Sequence, residues 1–77
     1  MPRYFFHVHD GHALIDHEGT ELAGPDEARN QAIVSAGEML RDEGEKFWNS
    51  EDWTMHVKDD AGRTVCTLQL AGKRGSP

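Results

Sequence analysis

Histidines are the side chains best able to do chemistry in this chain, and three of its five lie close together near the start. His7 and His9 are two positions apart, and His12 follows the dipeptide Asp10-Gly11. Residues two apart on a strand share a face, and Asp-Gly is the strongest short-range signal for a hairpin turn. A two-residue turn would therefore put His12 opposite His9. Three imidazoles placed in this way could bind Zn²⁺ or Ni²⁺ and leave one coordination position open.

A solvated strand face is the alternative interpretation of these histidines, and it requires no ligand. The other reactive groups have simpler roles. Cys66 falls on a predicted core face, where an unpaired cysteine behaves as a small hydrophobe, and Asp59 and Asp60 belong to a turn. We therefore expect no catalytic residue and no resident cofactor, with Zn or Ni at His7, His9 and His12 as the alternative.

The first hairpin must position these histidines, and its register sorts the side chains by face. The aromatic and branched residues from 2 to 9 predict the first strand, and residues 12–16 predict the second. A two-residue turn pairs Val8 with Ala13 and His7 with Leu14. It predicts a core face made of Tyr4, Phe6, Val8, Ala13 and Ile15, and an outer face made of Phe5, His7, His9, His12, Leu14 and Asp16.

A helix follows, with Pro25 at its first position and acidic residues in its first turn. Its apolar stripe is made mostly of small residues, which would let it lie close to a sheet that carries bulky side chains. Gly44 predicts the end of the helix, although Phe47 continues the stripe and a later end stays open. The stripe consists of Ala28, Ala32, Ser35, Ala36, Met39 and Leu40.

The second hairpin is predicted from residues 53–58 and 63–70, joined by the four residues 59–62. With Lys58 opposite Arg63, Val65 falls on the outer face with the polar residues, and six apolar residues share the other face: Trp53, Met55, Val57, Cys66, Leu68 and Leu70. A three-residue loop with a glycine bulge would mix the two faces, so we reject it. The fold class is α+β, in the order β-β-α-β-β: a four-stranded antiparallel sheet with one helix packed on one face. We expect residues 1–71 to form one domain and residues 72–77 to form a flexible tail.

Two apolar residues on the outer face, Phe5 and Leu14, require an explanation because a single helix covers only one face of a sheet. We expect a homodimer that covers them, or an unknown protein partner. Scattered exposed apolar residues are the simpler alternative. The 77 residues carry a formal net charge of -6, which argues against nucleic acid and against anionic membranes as partners. One cysteine and no leader sequence indicate a cytoplasmic protein.

The chain also resembles a family of short bacterial proteins classed as a domain of unknown function. The resemblance rests on the opening residues 2–6 with His9-Asp10-Gly11, on residues 16–19 with Leu22, on Ala28-Arg29, and on residues 57–59 with Gly62. It covers nearly the whole chain, and it implies a small stand-alone domain without an assigned activity. Three hypotheses follow: a self-associating interaction or regulatory module, a metal-binding or pH-responsive protein, and, least favoured, an enzyme.

Overall fold

The computed structural model describes residues 1–49 and 52–75, and it confirms one helix packed on an antiparallel sheet. The sheet has a fifth, very short strand that the sequence did not predict. The elements are β1 (Arg3–His9), β2 (Ala13–Leu14), β3 (Thr20–Glu21), α1 (Pro25–Glu43), a 3₁₀ helix (Gly44–Asn49), β4 (Trp53–Asp59) and β5 (Thr64–Leu70). The strands follow the order β2-β1-β4-β5 in the sheet, and β3 also pairs with β1.

The centre of the sheet is the antiparallel pair β1 and β4, which lie far apart in the sequence. Phe6 pairs with Val57, and Val8 pairs with Met55. Paired residues point to the same face, so the apolar sides of both strands meet beneath α1. The predicted core face of β1 and β4 is thereby confirmed.

The first hairpin has a different register from the predicted one. Val8 pairs with Leu14 and His9 with Ala13, so residues 10–12 form a three-residue loop closed by the Asp10 N–H donating to the His12 carbonyl oxygen at 3.1 Å. The two-residue turn was wrong by one residue, and such a shift exchanges the faces of a strand. Leu14 consequently lies on the helix-covered face, whereas Ile15 does not. Because β2 is only two residues long, few strand-pairing hydrogen bonds are available to hold the two-residue turn that Asp10-Gly11 predicts.

The second hairpin has a three-residue loop and a bulge, the arrangement that we rejected from the sequence. Asp59 donates its N–H to the Arg63 carbonyl oxygen at 2.9 Å, which leaves three residues, 60–62, in the loop. Lys58 then pairs with Thr64 but Val57 pairs with Cys66, so Val65 is an extra residue in β5. This bulge restores the alternation that the odd loop would have disrupted. The six apolar residues predicted to share one face of β4 and β5 do so, in a register shifted by two.

The core is formed where small helical residues meet large residues of the sheet. Ala28, Ala32 and Ala36 are buried in α1, and the largest fully buried side chains all belong to β4. The prediction that small side chains of α1 pack against bulky side chains of the sheet is confirmed. Within the described ranges 1–49 and 52–75, the buried residues are Tyr4, Val8, Ala28, Ala32, Ala36, Trp53, Met55 and Val57.

Both ends of α1 follow local signals. Pro25 occupies the first turn, and the Gly44 N–H donates to the Leu40 carbonyl oxygen where the helix ends. The chain then continues as the 3₁₀ helix, which places Phe47 against the core without prolonging α1. No helix in residues 1–49 or 52–75 is long and apolar enough to cross a membrane.

Candidate functional site

The face of the sheet that α1 does not cover carries the histidines and a cavity. His7 of β1 lies directly opposite His56 of β4, and both are half-buried. Together with Ile15, Lys58 and Thr64 they line a cavity of ≈ 420 Å³, called the His7–His56 cavity below. Neighbouring positions are polar, since Thr54, Thr67 and Gln69 alternate with the core residues of β4 and β5.

Asp16 organises the edge of this face beside β1. Its Oδ2 accepts the Phe6 N–H at 3.1 Å, and its Oδ1 accepts the N–H groups of Glu18 and Gly19 at 3.2 and 3.0 Å. β1 pairs with β3 before Phe6 and with β2 after it, so neither strand accepts the Phe6 N–H. The Asp16 carboxylate accepts this N–H instead. Asp16 explains why β2 ends early and how the chain turns back towards β3.

The pKa of Asp16 is lowered from its ordinary value by this arrangement. Burial of the carboxyl acts in the opposite direction and raises the pKa. The hydrogen bonds from Gly19, Phe6 and Glu18 and the charge of His7 together outweigh it, because each favours the ionised carboxylate. Asp16 is therefore a carboxylate at neutral pH.

The orientation of the His7 ring is set by a backbone donor. The Asp16 N–H donates to Nδ1 of His7 at 3.1 Å, and the ring stacks on Phe5 with centroids 6.4 Å apart and planes 8° from parallel. A backbone N–H can only donate, so Nδ1 must accept, and the neutral ring carries its hydrogen on Nε2. His7 therefore presents a hydrogen-bond donor at its second nitrogen.

The three histidines predicted as metal ligands do not meet as expected. His7 and His9 share the uncovered face, but His12 lies in the three-residue loop, because Ala13 occupies the position opposite His9. A metal at Nε2 of His7 would require a proton on Nδ1, which would break the bond from Asp16. Across residues 1–49 and 52–75, no group of three or more His, Cys, Asp or Glu side chains is arranged to hold a metal ion.

Sequence reasoning missed His56 as a neighbour of His7. Alternation in β4 correctly places His56 on the outer face, but only the pairing of β1 with β4 shows that the two imidazoles are adjacent. This pairing joins elements about fifty residues apart, so no local turn signal could reveal it.

A second pair of titratable groups joins the first loop to the end of α1. Asp10 and Glu43 line a cavity of ≈ 350 Å³ together with Leu14, Met39 and Trp53, and Asp42 and Lys46 lie at the same cavity. A hydrogen bond with Asp10, burial and the charge of Asp10 raise the pKa of Glu43, and Lys46 acts against them. We expected Asp10 to serve only the turn, so this contact was also missed.

Cys66 lies in β5 beside α1 and is partly buried. Burial raises the pKa of its thiol, and nearby Arg29 lowers the pKa by a smaller amount. A thiol with a raised pKa forms less of the reactive thiolate at neutral pH. This environment agrees with the expectation that Cys66 serves packing.

The fold and the site together define a small α+β domain that carries a histidine-lined cavity on the open face of an antiparallel sheet. The chain belongs to the family described as a domain of unknown function, DUF6894, whose family model matches residues 3–71. The resemblance to a domain of unknown function is therefore confirmed for nearly the whole chain. Comparisons with curated proteins and with solved structures give no match.

Proposed function

We propose that this chain is a non-catalytic interaction or regulatory module of the cytoplasm that self-associates through the uncovered face of its sheet. The observation that carries the proposal is the position of Ile15, which is 54% exposed and belongs to the same cavity wall as His7 and His56. Phe5 stacks on His7 beside it. Together they form an apolar surface that α1 leaves uncovered, and a second copy would remove it from water.

The proposed interface differs from the sequence expectation in one residue. Leu14 was expected beside Phe5, but it points to the α1 side, where it lines the cavity with Met39 and Trp53. Ile15 takes its place. The apolar character of the expected surface is preserved, because the one-residue shift exchanges one branched apolar residue for another.

Charge also supports a copy of the same chain as the partner. Two chains of net charge -6 repel each other, so a self-interface should contain few carboxylates. The outward positions of β1, β4 and β5 carry none. These positions are Arg3, Phe5, His7, His9, Thr54, His56, Lys58, Thr64, Thr67 and Gln69.

Sedimentation over a range of concentrations, with two matched variants, tests the proposal. Ile15→Ser removes a branched apolar side chain from the proposed interface. Ile33→Ser makes the same change on α1, at a residue that is 61% exposed. We expect the parent chain to dimerise, Ile15→Ser to weaken dimerisation at least about tenfold, and Ile33→Ser to leave it unchanged. A monomer at high micromolar concentration, or equal effects of the two variants, would contradict the proposal.

Metal binding by His7, His9 and His12 stays the alternative hypothesis, and calorimetric titration with Zn²⁺ and Ni²⁺ tests it. Because Nδ1 of His7 accepts the Asp16 N–H and His12 lies in the loop, we expect no binding tighter than about millimolar. Tighter binding that His9→Ala abolishes would establish the metal site instead.

A further inference from the structure

The His7–His56 cavity has a one-sided chemical character, because its polar groups are donors or can act as donors. His7, His56, Lys58 and Thr64 line it, and Ile15 supplies an apolar wall. No carboxylate belongs to this set, although the whole chain carries 14 acidic residues and only 8 lysines and arginines. Such a set recognises a ligand that offers hydrogen-bond acceptors.

His7 contributes a donor whose direction is fixed. Its Nδ1 accepts the Asp16 N–H at 3.1 Å, so the neutral ring keeps its hydrogen on Nε2. Stacking on Phe5 holds the plane of the ring. The donor is thus held in place before a ligand arrives, which reduces the entropy lost on binding.

Lys58 contributes a positive charge that the surrounding structure does not neutralise. Within residues 1–49 and 52–75, the ion pairs all use arginine. Asp59, which follows Lys58 in the chain, is bound to Arg63 through both carboxylate oxygens. The half-buried Lys58 ammonium therefore stays available for an anion from outside the chain.

Asp16 is an acidic group in contact with His7, and its charge is already compensated. Three backbone N–H groups, those of Phe6, Glu18 and Gly19, donate to its two oxygens. These bonds disperse the negative charge that would otherwise repel an anion in the cavity.

We propose that the His7–His56 cavity binds a small organic carboxylate, with the carboxylate oxygens on Lys58 and Nε2 of His7 and the carbon chain against Ile15. One cation matches one negative charge, whereas a phosphate dianion would exceed it. The volume of ≈ 420 Å³ lies within the range of small-molecule sites. This binding goes beyond the proposed self-association. Because both use Ile15, a carboxylate and a second copy would compete for the same face.

Nuclear magnetic resonance titration with sodium propionate tests the proposal, and propionamide serves as the uncharged analogue. We expect saturable shifts of the His7, His56 and Lys58 signals with propionate and none with propionamide. Lys58→Met keeps the length of the side chain but removes its charge, and it should weaken propionate binding at least about tenfold. Lys73→Met makes the same change outside the cavity and should have no effect.

Three results would overturn the carboxylate proposal: no saturable shift with propionate, equal shifts with propionamide, or equal weakening by Lys58→Met and Lys73→Met. Binding of inorganic phosphate without binding of propionate would also overturn it. Sedimentation of the same samples separates the two proposals. Propionate is titrated at concentrations where sedimentation finds the monomer, because a second copy would cover Ile15. Binding by a chain that stays monomeric at every concentration supports the cavity proposal and contradicts self-association. A chain that dimerises at higher concentration, but whose monomer does not bind propionate, does the reverse.

Discussion

Asp16 joins β1 to the loop that leads from β2 to β3. Its carboxylate accepts from β1 and from two residues of the following loop, while its own N–H holds His7. A two-residue strand such as β2 provides little pairing of its own. The hydrogen bonds of one side chain therefore replace the ladder that a longer strand would have formed.

Replacing Asp16 with Ala should destabilise the chain by roughly 2–3 kcal/mol, because three backbone donors lose their acceptor at about 1 kcal/mol each. Urea unfolding at neutral pH measures the change. Asp60→Ala is the matched control, since Asp60 is an exposed turn residue and should cost less than about 0.5 kcal/mol. Equal losses for the two variants would contradict the role given to Asp16.

The same bonds predict how acid affects stability. The pKa of Asp16 in the folded chain lies below its ordinary value, so the ionised carboxylate favours the folded state. This contribution is complete above the unfolded pKa and is lost as the pH falls through the folded pKa. In Asp16→Ala the loss of stability below about pH 4 should therefore be smaller than in the parent chain.

Gly19 is a position in this loop where a larger residue does not fit. Its φ is 71°, and a Cβ there would lie 2.8 Å from Arg3 Cγ and from Phe5 Cε2, and 2.9 Å from the Tyr4 carbonyl oxygen. Gly19→Ala should cost roughly 2–4 kcal/mol in unfolding free energy, from strain and overlap combined. Gly11→Ala, with φ of 97° but open space around it, should cost only about 1 kcal/mol. Similar losses of unfolding free energy for the two variants would show that the atoms around Gly19 move aside at little cost, and would contradict this prediction.

Between elements, the end of α1 and the first loop are joined by the Glu43–Asp10 contact. The raised pKa of Glu43 means that the folded chain binds its proton more tightly than the unfolded chain does. The stabilisation is present in full below the unfolded pKa and is lost as the pH rises through the raised folded pKa. The contact therefore makes this junction weaker at neutral pH than in weak acid.

Glu43→Gln should remove this pH dependence, because the amide keeps a hydrogen-bonding group and loses the charge. At neutral pH we expect a gain of roughly 0.5 kcal/mol, the size of a relieved like-charge contact near the surface. Thermal unfolding between about pH 4.5 and 7.5 measures the gain and its pH profile. Glu38→Gln removes the same charge from an exposed site on α1, and an identical profile for it would indicate a general charge effect.

At the scale of the whole molecule, a small core and a large negative charge act together. Among residues 1–49 and 52–75, eight are buried. This is few for a domain that must offset the entropy of folding, and a partner surface would add to them. The net charge of -6 opposes any approach of a second copy. We therefore expect salt to strengthen self-association, since screening reduces the repulsion.

Sedimentation at about 20 mM and about 300 mM NaCl measures this effect, and we expect the dimerisation constant to rise several-fold between them. Urea unfolding at both salt concentrations controls for a change in the fold itself. Weaker association at high salt would indicate that ion pairs between copies hold the dimer, and would contradict an apolar interface centred on Ile15.

Local sequence patterns determined the faces of β1 and β4, the start of α1 at Pro25 and its end before Gly44, because each depends on residues a few positions apart. Tertiary packing decided three further features. It paired β1 with β4, it placed Leu14 rather than Ile15 on the α1 side of the sheet, and it inserted Val65 as a bulge. The candidate site depends on the first of these, since His7 meets His56 only across that pairing. Long-range pairing follows the apolar area that the whole chain can bury together, and no local turn signal contains that information.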